Sequence, residues 1–174
     1  MLASVLLLAA AAIAAPTTGD FNSIQTKDGD LCLSSGGRFD QGAPLKLAPC
    51  STCEKDQRFK WEPFTFQGAE AGVEYFTIHS QGGLCVVSHV PSGHGYSFGP
   101  PVLGPCDFGE GCPSLNSWRP MWVKDGDRIC MSPKKEGDTS VLGPNGLCFS
   151  AKDFTAGVEI DLATDATGKP IAWK

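Results

Sequence analysis

Apolar positions in this chain come in short bursts. Gly or Pro interrupts them about every 5 to 10 residues, leaving runs too short for helices but of the right length for strands. Three stretches read as hairpins. Phe21-Asn22-Ser23-Ile24 runs through Lys27-Asp28-Gly29-Asp30 into Leu31-Cys32-Leu33, and Asp-Gly is a strong hairpin-turn signal. Trp122-Val123-Lys124-Asp125-Gly126-Asp127-Arg128-Ile129-Cys130-Met131 repeats that design. Tyr75-Phe76-Thr77-Ile78-His79 is turned by Gln81-Gly82-Gly83 into Leu84-Cys85-Val86-Val87. Leu45-Lys46-Leu47 and Val158-Glu159-Ile160-Asp161-Leu162 alternate apolar and polar residues, the pattern of half-buried strands. Many short strands with turns between them predict an all-β barrel or sandwich.

The pattern also recurs at long range. Leu-Cys pairs open segments at Leu31-Cys32, Leu84-Cys85 and Leu147-Cys148, and Trp61, Trp118 and Trp173 close them at spacings of 57 and 55 residues. Self-similarity at a fixed period means one supersecondary unit used several times, each unable to bury its apolar face alone. Three copies without a fourth predict a closed threefold body, which favours a barrel over a sandwich. The three rings are expected to meet near the axis as structural core, each burying on the order of 150–250 Å². Trp122, outside the series, is expected to pack as well.

Composition narrows the setting. Residues 2 to 15 are uncharged and mostly apolar, and Pro16-Thr17-Thr18-Gly19 follows. That predicts a secretory signal over residues 1–14, cleaved after Ala12-Ile13-Ala14, with an N-terminal anchor as the alternative. The n-region carries no Lys or Arg, which is atypical. All eight Cys follow that segment, and an even count in a secreted chain predicts disulfides. Cys50-Ser51-Thr52-Cys53 lacks a second ligand pair, and His89 with His94 lacks a third ligand, so no metal is expected. The net charge of −5 argues against nucleic acid or an anionic membrane as partner.

Three sets of residues carry a family resemblance. The first is Leu31-Cys32-Leu33, Gly37-Arg38-Phe39, Gly42-Ala43-Pro44-Leu45-Lys46-Leu47-Ala48-Pro49-Cys50 and Gln57 to Trp61. The second is Gly83-Leu84-Cys85-Val86, Val102-Leu103-Gly104-Pro105-Cys106 and Asn116-Ser117-Trp118; the third is Gly146-Leu147-Cys148-Phe149, Ile160-Asp161-Leu162-Ala163 and Ile171-Ala172-Trp173. Each resembles a ricin B-type repeat: a G-x-C opening, a strand ending in Cys and a closing Q-x-W. The copies are degraded, since Gln57 is the one closing Gln and stands two residues too far from Trp61. The resemblance implies a β-trefoil of three pseudo-equivalent repeats closed about a threefold axis. That domain would span residues 20–174, with repeats about 20–63, 64–120 and 121–174.

In that family the opening Cys bonds the Cys ending the next strand, which implies Cys32–Cys50 and Cys85–Cys106. Cys148 lacks such a partner and lies 18 residues after Cys130, so Cys130–Cys148 is expected next. Cys53 and Cys112, in equivalent loops, remain as a fourth pair. Swapped pairings, Cys32–Cys53 and Cys85–Cys112, stay open.

The resemblance also implies a way of binding sugar: an Asp two residues after the opening Cys, an aromatic platform two before the second Cys, and an Asn-Gln type pair before the closing Trp. Carried over, the first copy offers Ser34, Ala48 and Asp56-Gln57. The second offers Val87, Gly104 and Asn116, and the third Ser150 and Ala163 with no amide. The first copy is therefore the candidate pocket, around Ser34, Lys46, Asp56 and Gln57. A second candidate surface is the insertion Ser88 to Pro101, whose His94, Tyr96 and Phe98 read either as a recognition loop or as rings folded onto the barrel.

Catalysis has no visible constellation, because no G-x-S-x-G occurs and no carboxylate pair stands apart from the turn Asp residues. The expectation is a secreted, monomeric, non-enzymatic module without cofactor, binding an extracellular glycan. The alternative is a trefoil working through contacts with a secreted or host protein, as an inhibitor or effector. The resemblance points to a fungal source, where small secreted proteins of this sort include allergens.

Overall fold

The computed structural model describes residues 20–65, 71–89, 99–106, 118–119, 121–131, 146–164 and 168–174, with the backbone alone at His89, Trp118 and Arg119. The expected signal segment lies outside them. Within the described residues the fold is all-β, with one 3-10 turn at Lys55–Gln57. No helix there is long and apolar enough to cross a membrane.

The short runs form short strands. These are β1 (Leu31–Ser34), β2 (Lys46–Pro49), β3 (Phe59–Phe64), β4 (Tyr75–Ser80), β5 (Cys85–His89) and β6 (Pro101–Gly104). They continue as β7 (Trp118–Arg119), β8 (Trp122–Asp125), β9 (Arg128–Cys130), β10 (Cys148–Ser150) and β11 (Asp161–Ala163). The hairpins are made where the turn chemistry predicts them. Gly29 takes φ 83° and the Thr26 amide donates to the Leu31 carbonyl. β8 and β9 pair through Val123↔Cys130, Lys124↔Ile129 and Asp125↔Arg128. β4 and β5 meet at His79↔Cys85.

β1 pairs antiparallel with β2, β5 with β6, and β10 with β11. In these pairs Cys32 stands opposite Ala48, Cys85 opposite Gly104 and Cys148 opposite Ala163. The far strands of these hairpins then reach one another. Pro44 bridges Val102 and Lys46 bridges Glu159, while the Leu47 amide donates to Val158 O at 2.9 Å and the Leu103 amide to Ala43 O at 2.9 Å. The two ends of the described chain also pair: Lys27 N donates to Ala172 O and Lys174 N to Gln25 O.

The core collects inward residues from every hairpin, among them Ile24, Ile78, Ile129, Leu33, Val86, Leu45, Leu47 and Leu103. Its aromatic centre is Phe149, packed edge-on against Trp122 at 4.8 Å and Trp173 at 6.2 Å between ring centroids, the geometry the ring quadrupoles favour. Trp122 is fully buried and its indole N–H donates to Val86 O at 2.7 Å.

This corrects the expected indole trio. Trp173 is in the core, but Trp61 is half-buried at its margin, edge-on to Phe76 with the Lys124 ammonium 4.5 Å above its ring. Phe59, two residues earlier on the same face of β3, fills the interior at 1% exposure. Gln57-Arg58-Phe59 thus keeps the Q-x-aromatic spacing that Gln57 and Trp61 do not. The Trp118 side chain lies outside the described residues.

Three disulfides join Cys32 to Cys50, Cys85 to Cys106 and Cys130 to Cys148. The expected fourth bridge is not made, because Cys53 is a free, exposed thiol in the loop after β2. Cys112 lies outside the described residues.

Candidate functional site

The first hairpin builds a compact polar site. β1 ends at Ser34, opposite Lys46 of β2, and the chain then turns through Gly36 and Gly37 at φ 64° and 77°. Two successive left-handed residues suit glycine and turn backbone amides toward one side. The 3-10 turn brings Asp56 to meet them. The Ser34 hydroxyl donates to Asp56 Oδ2 at 2.6 Å, and the Gly37 amide donates to the same oxygen at 2.8 Å. The Gly36 amide donates to Ser34 Oγ at 2.9 Å, and the Ser35 amide to Asp56 O at 3.0 Å.

Bonds to a carboxylate are charge-assisted, worth about 1.5–3 kcal/mol each against roughly 1 for neutral pairs. Asp56 is therefore held in one orientation. Ser34 is 1% exposed, so its hydroxyl is committed to Asp56 and closed to solvent. Asp56 Oδ1 has no partner among the described residues and is the charged acceptor left over.

Gln57 supports this site from below. It is buried at 4% exposure; its Nε2 donates to Pro49 O at 2.9 Å and its Oε1 accepts from the Ser51 amide at 2.8 Å. Its amide is consumed in pinning the loop that carries Asp56. Lys46 is half-buried, and its stem runs beside Gly36, where a Cβ would come 3.6 Å from Lys46 Cδ.

An exposed aromatic ring is present near the first turn, though not at Ala48. Phe39 is 42% exposed and lies in the same loop as Gly36 and Gly37. Its ring rests on Gly82, where a Cβ would come within 2.5 Å of a ring carbon. Gly37-Arg38-Phe39 belongs to the run that resembles the first family repeat, but the sequence assigns Phe39 no binding role. The signal was an aromatic residue inside the polar turn Ser35-Gly36-Gly37-Arg38-Phe39-Asp40, with no apolar neighbour to pack against.

The other copies do not assemble this arrangement among the described residues. In the third, the Ala151 amide donates to Lys169 O as Ser35 does to Asp56, which puts a cation where the first copy has a carboxylate. In the second, Val87 is a buried apolar residue and 107–117 lie outside the described residues. His94, Tyr96 and Phe98 also lie outside them. Of the residues singled out by sequence, the structure brings Ser34, Lys46, Asp56 and Gln57 together.

No protein-family model and no curated protein matches the chain. Among solved structures it is similar to that of a mosquitocidal holotoxin, with a TM-score of 0.55 and 6% sequence identity. The match covers 92% of this chain and 17% of that one. At that identity the likeness concerns the fold alone, and this all-β chain spans a small part of the toxin's length.

Proposed function

We propose that this chain is a secreted, non-enzymatic glycan-binding module, built as a ricin B-like β-trefoil, with one sugar site on its first repeat. The Asp56 carboxylate carries the reading: its Oδ2 is fixed by Ser34 and by Gly37, whose own loop also exposes the Phe39 ring, while its Oδ1 stays open. Sugars present hydroxyl donors on one edge and an apolar C–H face on the other. A fixed charged acceptor and an exposed aromatic ring, joined through the Ser35–Asp40 turn, answer both. The family's carboxylate would thus have moved across its own hydrogen bond, with hydroxyl and acid exchanging places.

The trefoil reading is supported by repeated registers. Cys32, Cys85 and Cys148 stand opposite residues of the same kind of partner strand. Ile24, before β1, is buried as are Ile78 in β4 and Ile129 in β9, and Phe59, Trp122 and Trp173 are buried in the closing segments. On this reading β8 closes the second repeat, and the third begins after Asp125 rather than at 121. Three disulfides suit an oxidising, extracellular setting.

A glycan array on oxidised protein tests this. Binding competed by free sugar should be lost in both Asp56→Ala and Phe39→Ala variants that keep the parent's circular dichroism. Binding that survives both changes, or an array without signal, would overturn the proposal.

A further inference from the structure

The position facing each opening cysteine differs among the three hairpins. Gln25 bridges Cys32, His79 stands opposite Cys85, and Cys130 stands opposite Cys148. In the third hairpin that position carries sulfur and bonds Cys148. In the second it carries an imidazole. His79 Nδ1 lies 3.5 Å from Cys106 Sγ, and the ligand atoms of His79, Cys85 and Cys106 all fall within 4.8 Å of one another. Among the described residues no other trio of His, Cys, Asp or Glu comes this close.

The far side of the ring fixes its orientation. His79 Nε2 sits 2.8 Å from Thr77 Oγ1 and 3.0 Å from Glu62 Oε2. An ionised carboxylate has no proton to give, so Nε2 carries the hydrogen. Nδ1 then points a lone pair at a sulfur that, in a disulfide, has no proton to share. Metal-bound imidazoles are held in this way, with a carboxylate behind the distal nitrogen. Zn–N of about 2.0–2.1 Å and Zn–S of about 2.3 Å at a tetrahedral angle put N and S about 3.5 Å apart, the spacing already present here.

We infer that reduction of the Cys85–Cys106 disulfide turns this face into a Zn2+ site, with two thiolates and His79 Nδ1 as ligands and Glu62 and Thr77 positioning the ring. An external dithiol supplies two electrons and two protons to the sulfurs and leaves as its own disulfide. Zn2+ binding then releases the two thiol protons, and the fourth position stays open to water. Cys32–Cys50 is faced by an amide and gains no such ligand set on reduction.

The full-length oxidised protein is reduced with limiting dithiol, freed of it, and given ZnCl2 before alkylation and peptide mass mapping. Near-equimolar Zn2+ should protect Cys85 and Cys106 and leave Cys32 and Cys50 open to alkylation. His79→Ala should require at least about tenfold more Zn2+ for the same protection, and Glu62→Gln, which keeps all three ligands, about 10–100-fold more. Protection spread evenly over all cysteines, as an unfolded chain would give, or unaltered in both variants, would overturn the inference.

Discussion

Gln57 and Asp56 are neighbours with different tasks, and substitution should separate them. Gln57 satisfies two backbone groups inside the fold, so Gln57→Ala leaves both unpaired and should lower unfolding stability by about 1–3 kcal/mol, read by denaturant titration. His79 gives a pH test. Burial pushes its pKa down, with the nearby Glu62 opposing and Lys60 assisting. Below the unfolded value of about 6.5, the unfolded chain takes the proton first, so stability should fall as pH drops from 7.5 to 5.5. Glu62, held below the usual carboxylate range mainly by its hydrogen bond from Lys60, adds a further loss nearer pH 4.5 and below. Melting curves of His79→Gln should lose the first window and keep the second; an unchanged profile would contradict the assignment. Single residues were the least legible scale. Gln57 was found by motif but read as ligand-facing, because its two buried partners arise from how the loop folds back.

Hairpins were the most legible element. Asp28-Gly29 and Asp125-Gly126 announce tight turns locally, and the alternation in Leu45-Lys46-Leu47 matches burial of both Leu with Lys46 between them. What the alternation could not supply is the long-range bridging of Pro44 to Val102 and Lys46 to Glu159, since those contacts join segments far apart in sequence. The Cys32–Cys50 bridge closes an 18-residue separation within the first hairpin, and chain entropy assigns such a loop about 3 kcal/mol. The Cys32→Ala/Cys50→Ala double variant should unfold at correspondingly lower denaturant. A loss under 1 kcal/mol would mean that β1–β2 pairing alone defines the unit.

At the scale of the molecule, the aromatic interior was anticipated in kind and displaced in detail. A spacing count selected Trp61, but burial depends on where a strand leaves the core, and β3 has reached its margin two residues past Phe59. Trp122→Ala should therefore cost about 3–5 kcal/mol, including the stranded Val86 carbonyl, whereas Trp61→Ala should cost clearly less. Equal losses would restore the indole trio.

The proposed sugar site rests on the Ser34–Asp56 pair and the exposed Phe39 ring, with Lys169 in the place of Asp56 in the third segment. The most direct measurement is a calorimetric titration of a glycan found by array against four proteins: wild type, Asp56→Asn, Phe39→Ala and Lys169→Ala. Asp56→Asn preserves shape and removes charge, so affinity should fall at least about tenfold, equivalent to about 1.4 kcal/mol. Phe39→Ala should fall similarly and Lys169→Ala should match wild type. Undiminished binding by Asp56→Asn, or an equal loss in Lys169→Ala, would contradict a sugar site at Asp56.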